Sequence, residues 1–204
     1  MEFIEAVRKR RTVRTFTGEP VPEEVIMKML EAGLLAPTND HMRNWEFVLL
    51  HTAEEKETGL QAVKAWTLEH GGRRHEVPDA AAQVMYDHAL PRQYTMLYDA
   101  DWVILPFFKC SDQIFREGIL NRLNPFASIW CVIENILLAA ADAGLGCSLR
   151  IPVGDEWQKT AALVKAPEGW ILPCYIGVGV PDGQLQETQH MRSAAEKAHR
   201  GTWQ

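Results

Sequence analysis

Hydrophobic positions along this 204-residue chain change period several times, and each change predicts an element. Phe3, Ile4 and Val7 fall on one face of a short amphipathic helix. Pro22 leads Val25, Ile26, Met29 and Leu30 into Gly33, a 3.6-residue period that predicts a helix of about ten residues with Pro at its start and Gly at its end. Trp45-Glu46-Phe47-Val48-Leu49-Leu50 then reads as a strand. Thr52 followed by Glu55 is a capping-box signature, and the helix it opens should run to about Glu69, before the Gly71-Gly72 break. Residues 70–92 have no clear period. Trp102-Val103-Ile104-Leu105 predicts a second strand, whose far end should lose ladder bonds at Pro106 because proline has no N–H. Residues 107–124 mix Phe107, Phe108, Ile114 and Phe115 with charges, which suits an insertion over a site.

Residues 125–143 form the most apolar helical stretch, with Ala139, Ala140, Ala141 and Ala143 in its last turns, and a helix hydrophobic nearly all round should be buried on every side. Gly144-Leu145-Gly146 ends it. Residues 147–151 predict a strand, a short helix precedes the Pro167-Glu168-Gly169 turn, and residues 171–178 predict one final central strand. From Pro181 the tail is polar and has no core of its own, so it must lie across another surface or be mobile.

Length allows one substantial core or two small ones, and 47% hydrophobic with 24% charged residues is an ordinary globular composition. The longest apolar run, 129–146, is interrupted by Glu134, Asn135 and Asp142 and falls short of a spanning helix, so no membrane association is expected. Residues 1–14 lack an apolar signal-peptide core. Cys110, Cys131, Cys147 and Cys174 are widely spaced and form no C-x-x-C, which reads as reduced core residues of a cytoplasmic protein.

Charge adds one local inversion. Arg8, Lys9, Arg10, Arg11 and Arg14 cluster in a chain of net charge −6, and Arg10-Arg11-Thr12-Val13-Arg14-Thr15-Phe16 alternates cations with Thr and Val as an extended arm would. A nucleic-acid arm belongs to a basic domain, and here 21 Lys plus Arg face 27 Asp plus Glu, so no nucleic acid is expected. A small phosphorylated ligand fits better; a solvated basic helix end is the alternative. The seven histidines show no metal-ligand spacing, and no G-x-S-x-G, P-loop or G-x-G-x-x-G motif occurs.

Four stretches together resemble the nitroreductase family of FMN-dependent oxidoreductases. Residues 10–16 are similar to its R-R-S-x-R-x-F flavin motif, and residues 36–45, Ala-Pro-Thr-Asn-Asp-His-Met-Arg-Asn-Trp, to A-P-S-x-x-N-x-Q-P-W. The apolar helix closed by Ala143-Gly144-Leu145-Gly146 is the third. The Pro167-Glu168-Gly169 turn, with the strand end Ile176-Gly177-Val178-Gly179-Val180-Pro181, is the fourth. The resemblance covers almost the whole chain and implies a single α+β domain over 1–204, with a mixed sheet of four to five strands surrounded by helices. It also implies an intertwined homodimer with two FMN sites at the subunit interface, and a ping-pong cycle in which NADH or NADPH reduces FMN and a small electron-poor acceptor, nitroaromatic or quinone, reoxidises it. Family cousins run reductive dehalogenation or flavin fragmentation. A flavin-binding or redox-sensing module without turnover is the alternative from another class.

Carried over by position, Arg10, Arg11, Thr12 and Arg14 match the flavin arm, with Arg10 at the phosphate or ribityl chain. Arg14 is expected by the N1/O2 edge, where a cation favours the charge that arrives on reduction. Pro37, Thr38 and Asn39 match a loop reaching the partner's flavin. Gln93 matches an amide at the pyrimidine edge, Gly144 and Gly146 a close approach to the ring, and His190 and Arg192 a phosphate clamp. The chain departs from the pattern at His41 for Asn, Arg43 for Gln, Asn44 for Pro and His190 for Lys, and Met96 stands where some members place a second Lys. His41 either lines the flavin site or holds its own loop. Most of these departures lie along the edge of the pocket that sets substrate preference.

Overall fold

The computed structural model describes residues 2–71, 76–110, 120–183 and 193–203. Its helices and strands follow in the order α1 (Phe3–Lys9), α2 (Glu23–Leu34), β1 (Trp45–Leu50), α3 (Ala53–Gly59), α4 (Gln61–His70), α5 (Ala80–Ala89), α6 (Thr95–Tyr98), β2 (Trp102–Lys109), α7 (Asn124–Asp142), β3 (Gly146–Arg150), α8 (Glu156–Leu163), β4 (Trp170–Ile171) and β5 (Tyr175–Gly179). The sheet order is β1-β2-β5-β3, with β4 also paired to β2, and each of these ladders is antiparallel. The expected mixed character is confined to the 10–16 arm, which meets β3 in a single parallel bridge, Thr12 to Cys147.

β2 explains the layering. Its side chains alternate, so Trp102, Ile104 and Phe108 enter one core while Val103, Leu105 and Phe107 enter the other. The first core is covered by α2 and α7, and the second by α4, α6 and α8. A strand buried on both faces reads as a continuous apolar run, which is what the sequence shows at 102–108. Pro106 sits inside this strand, opposite Phe47 of β1. On its other side, β5 pairs only as far as Ile104 and β4 resumes at Phe108, so the missing N–H falls where the ladder is already broken. The single strand expected over 171–178 is therefore two strands, parted at Leu172-Pro173-Cys174, where a second proline cannot donate to a ladder.

The Thr52–Glu55 capping box is present in full, with the Glu55 amide donating to Thr52 Oγ1 at 3.3 Å and the Thr52 amide to Glu55 Oε2 at 2.9 Å. The helix it opens breaks at Leu60, whose side chain turns fully into the second core. Pro22 takes the N-cap position of α2, but Gly33 does not end that helix. A Cβ there would stand 2.8 Å from Ile136 Cγ1 and 3.2 Å from Val132 Cγ1, so this glycine serves the close crossing of α2 on α7.

Within one chain, α7 is covered on one side. Ile129, Val132, Ile133 and Ile136 are fully buried, yet Ala127, Cys131 and Glu134 on the opposite side are exposed and Leu137 and Leu138 are half-buried. Its buried face marks it as a core helix, although its length and composition alone would let it cross a membrane. Polar residues along it each hold a neighbouring segment. Asn135 Nδ2 donates to Ala32 O at 3.1 Å, satisfying a carbonyl at the end of α2. Glu134 pairs with Arg10 Nε at 3.4 Å. The Asn39 amide donates to Ser128 Oγ at 3.0 Å, and Asn124 Nδ2 to Asn39 Oδ1 at 3.2 Å.

Candidate functional site

The basic arm is extended, as its alternation predicts, and it is strapped along the sheet. The Val13 amide donates to Cys147 O at 2.8 Å, the Thr17 amide to Val180 O at 3.0 Å, and Asp182 returns a bond to Thr15 O at 3.1 Å. Val13 is buried against β3, and this contact explains Gly146: a Cβ at 146 would lie 2.5 Å from Val13 Cγ2 and 2.7 Å from Val13 Cβ. Gly144 has a different reason. It follows α7 with φ +77°, a left-handed conformation glycine adopts without cost, and nothing stands within 4 Å of its would-be Cβ.

Arm side chains divide into those with protein partners and those without. Arg11 Nη1 donates to Arg8 O at 2.5 Å and Arg10 O at 2.7 Å. Arg10 engages Glu134, and Thr12 is exposed. By contrast, Arg11 Nε and Arg14 Nε are buried without any hydrogen-bond partner among the described residues. Burial pulls the Arg14 guanidinium below its usual pKa. Near it, burial and the cations Arg92 and Arg14 hold the His88 imidazole below its ordinary value.

Gln93 lies close by in the chain, but its amide is engaged. Its Nε2 donates to Ala89 O at 3.1 Å, and its Oε1 accepts from Arg150 Nη1 at 2.5 Å. Arg150 is 3% exposed, pairs with the equally buried Glu156 at 2.7 Å, and lies over the Trp66 ring at 4.8 Å. Met96 is a core side chain of the second cluster, and its carbonyl accepts from Ser148 Oγ at 2.6 Å. His190 and Arg192 lie outside the described residues.

The loop of Pro37, Thr38, Asn39 and His41 is strained. Asp40, His41 and Arg43 have φ of 50°, 55° and 45°, a left-handed region costing an L-residue roughly 1–2 kcal/mol. Asn, Asp and His are the side chains that tolerate it best; Arg is not among them. Thr38 Oγ1 accepting from the Arg43 amide at 3.1 Å, the bonds to Ser128 and Asn124, and Arg43 Nη1 on His41 O at 3.3 Å keep the loop in place. The His41 ring is exposed; its carbonyl is what the loop uses.

Beside this loop a cavity of about 480 Å³ opens between it, the end of β2 and the first turns of α7. Its lining includes Thr38, Asn39, Met42 and Trp45 from the loop and the start of β1, Phe108 and Lys109 from β2, and Arg122, Pro125 and Ser128. Sequence reasoning missed Lys109, Arg122 and Ser128, whose signal was weak: two cations in an unpatterned stretch and one hydroxyl in an apolar helix. The arm and the loop are not brought together within one chain. The loop bonds α7 at Asn124 and Ser128, whereas the arm pairs with Glu134 near its middle and runs on past its C-terminal end to Cys147.

Comparison with known proteins places this geometry. The sequence profile described as the Nitroreductase family matches residues 7–180. A Methanothermobacter thermautotrophicus protein whose name carries NADH dehydrogenase/NAD(P)H nitroreductase is 35% identical over 185 residues, covering 89% of this chain and 78% of that one. A Daphnia pulex protein named iodotyrosine deiodinase is 28% identical over 193 residues, with 89% of this chain aligned; this chain spans 62% of that relative's length. Among solved structures, oxidized iodotyrosine deiodinase bound to FMN and 3-iodo-L-tyrosine superposes with TM-score 0.77 at 20% identity, covering 99% of this chain and 100% of the other. An FMN and NADPH-dependent nitroreductase of a Sphigopyxis sp. gives 0.75 at 14% identity, with 99% and 100% covered. The fold is shared with these structures, and the match over residues 7–180 establishes that the chain belongs to the nitroreductase family.

Proposed function

We propose that this chain is an FMN-dependent oxidoreductase, working as a homodimer, that uses NADH or NADPH to reduce an electron-poor small molecule of nitroaromatic or quinone type. The observation that carries the reading is the pair of buried guanidinium nitrogens, Arg11 Nε and Arg14 Nε, without a hydrogen-bond partner among the described residues. Buried donors on cations require an acceptor, and an anionic flavin fits that requirement. When bound, FMN supplies the two-electron chemistry, taking hydride from NAD(P)H and passing the electrons to the acceptor. Arg14 then provides fixed positive charge that favours the more negative, reduced ring. Arg10, whose Nε pairs with Glu134, and Thr12 join the arm's contacts; Arg192 and His190 are assigned to the phosphate by position in the motif alone.

Three observations favour the dimer. The arm and the loop meet different stretches of α7, at Glu134 and at Ser128, and Pro37, Thr38 and Asn39 of one chain would complete the site of the other. Phe3 and Ile4 of α1 are 72% and 54% exposed, next to the uncovered side of α7. The tail at 193–203 is exposed throughout and needs a surface. Purified protein should be yellow, release FMN on heating, sediment as a dimer with two FMN, and consume NAD(P)H when nitrobenzene is added. Colourless protein that gains no flavin band with excess FMN would overturn the reading.

A second reading, reductive dehalogenation, is favoured by relatives named iodotyrosine deiodinase from Daphnia pulex and Thermotoga neapolitana, at 28% and 24% identity. Iodide release from 3-iodo-L-tyrosine by the reduced protein, absent with nitrobenzene-competent controls, decides for it.

A further inference from the structure

We infer that Arg150, paired with Glu156, is a positioning residue that turns the Gln93 side chain so that it offers the flavin an N–H and not its oxygen. This rests on the proposed function for the ligand, and on the protein's own bonds for the direction of the amide. The two ends of a glutamine amide are alike in shape, so their partners decide which is which. Arg150 Nη1 stands 2.5 Å from one end, and a guanidinium has donors only, so that end is Oε1. The other end lies 3.1 Å from Ala89 O, which only accepts, so it is Nε2. Nε2 spends one N–H on Ala89 O and keeps a second for a ligand.

The guanidinium that sets this direction is itself held from several elements. Arg150 is 3% exposed, its Nη2 donates to Glu156 Oε1 at 2.7 Å, and the Trp66 ring of α4 lies 4.8 Å from it. Glu156 is fixed in turn, because its Oε2 accepts from the Val153 amide at 2.6 Å. A buried ion pair gains little net stability over an apolar pair of the same shape, so its use here is to fix geometry. The cation behind Oε1 also polarises the amide and strengthens the remaining N–H as a donor. Gln93 is half-buried and follows closely on His88, whose imidazole feels the Arg14 charge and whose carbonyl accepts from Arg92 Nη1 at 2.8 Å. The amide thus stands in the segment beside the arm's buried guanidinium. A flavin's pyrimidine edge carries two carbonyls flanking N3–H, and this amide matches a carbonyl.

Binding of FMN, its 2-thio and 4-thio analogues and N3-methyl-FMN to the apoprotein, followed by fluorescence titration, tests this without turnover. Sulfur accepts hydrogen bonds poorly, and the N3 methyl removes a ring donor. Gln93→Ala should weaken FMN and N3-methyl-FMN alike by about fivefold, and should leave one of the thio analogues unaffected. A Gln93 dependence that vanishes with N3-methyl-FMN would show the amide oxygen facing the ring and would overturn the inference. Arg150→Lys keeps a donor for Oε1 and a charge for Glu156, so the preference for FMN over that thio analogue should remain. Arg150→Met combined with Glu156→Gln leaves no lone buried charge, frees the amide to turn, and should reduce the preference about fivefold. Urea unfolding of the same variants reads stability separately. A merely structural Arg150 would shift the unfolding midpoint and leave the preference unchanged, which also overturns the inference. Equal affinity of the wild type and Gln93→Ala for every one of these flavins overturns it and leaves the FMN reading standing, whereas a wild type that binds none of them sinks both.

Discussion

Substituting Gly146 by alanine tests whether the arm is wedged on β3. The new Cβ would meet Val13 Cγ2, Cβ and Cγ1 at 2.5, 2.7 and 3.0 Å, where carbon atoms prefer about 3.5–4.0 Å. Val13 cannot rotate away: it is β-branched, 5% exposed, and its amide is held by Cys147 O at 2.8 Å. Relief must therefore come from the arm's backbone. Overpacking of this kind costs about 1–3 kcal/mol, offset by the roughly 0.4–1 kcal/mol that alanine gains over glycine through the unfolded chain. The net expectation is a loss of about 1–2 kcal/mol in urea unfolding, together with FMN binding weakened roughly tenfold because Arg14 moves with the arm. Val13→Ala removes the contacts at 2.5 and 3.0 Å and leaves the one at 2.7 Å, so the double variant should be less destabilised than the sum of the singles by about 1 kcal/mol. Gly144→Ala is the control. Its φ of +77° predicts a loss of about 1 kcal/mol with FMN affinity intact, whereas a glycine that approaches the ring would lose affinity as well. Unchanged stability and unchanged FMN affinity in Gly146→Ala would refute the wedge.

Three further outcomes follow from the same geometry. Arg14→Gln should lower the flavin midpoint potential by some tens of millivolts, since roughly 30 mV corresponds to about 1.4 kcal/mol for a two-electron couple; weaker binding at an unaltered potential would leave Arg14 a mere anchor. Burial pushes the Cys147 thiol from 9.0 up to about 12 and raises Cys174 and Tyr175 further. The folded chain thus favours the protonated forms, and stability that is complete below about pH 9 falls as pH rises through 12, by about 1.4 kcal/mol per unit for each thiol; urea unfolding should lose about 3 kcal/mol between about pH 8 and pH 10. Glu156→Gln leaves the Arg150 cation buried without its counter-charge and should cost about 3 kcal/mol, and a loss below about 1 kcal/mol would show that Gln93 and Trp66 suffice to hold it.

Local signals were read well from the chain. The Thr52–Glu55 cap, the strand at 45–50, the apolar run of β2 and the extended arm depend on neighbours in sequence, and each stands in the structure. What was misread depends on partners far away. Gly33 looked like a helix stop, but its meaning lies in Ile136, about a hundred residues on. Gly146 has a further reason that the sequence does not show, its packing against Val13. The apolar content of α7 predicts burial, but composition cannot say whether the cover comes from the same chain. In the site, the cations of the arm were legible because they are contiguous. Lys109 and Arg122 were not, because they flank a segment with no period and meet only across the cavity.

The strap that fastens the arm also separates two clocks. Three backbone bonds and one valine hold residues 13–17 to the sheet margin, whereas Ile104 and Leu105 lie between two helical layers. Amide exchange at Val13 and Thr17 therefore proceeds by local opening, fast compared with exchange at Ile104, which waits for the whole molecule to unfold.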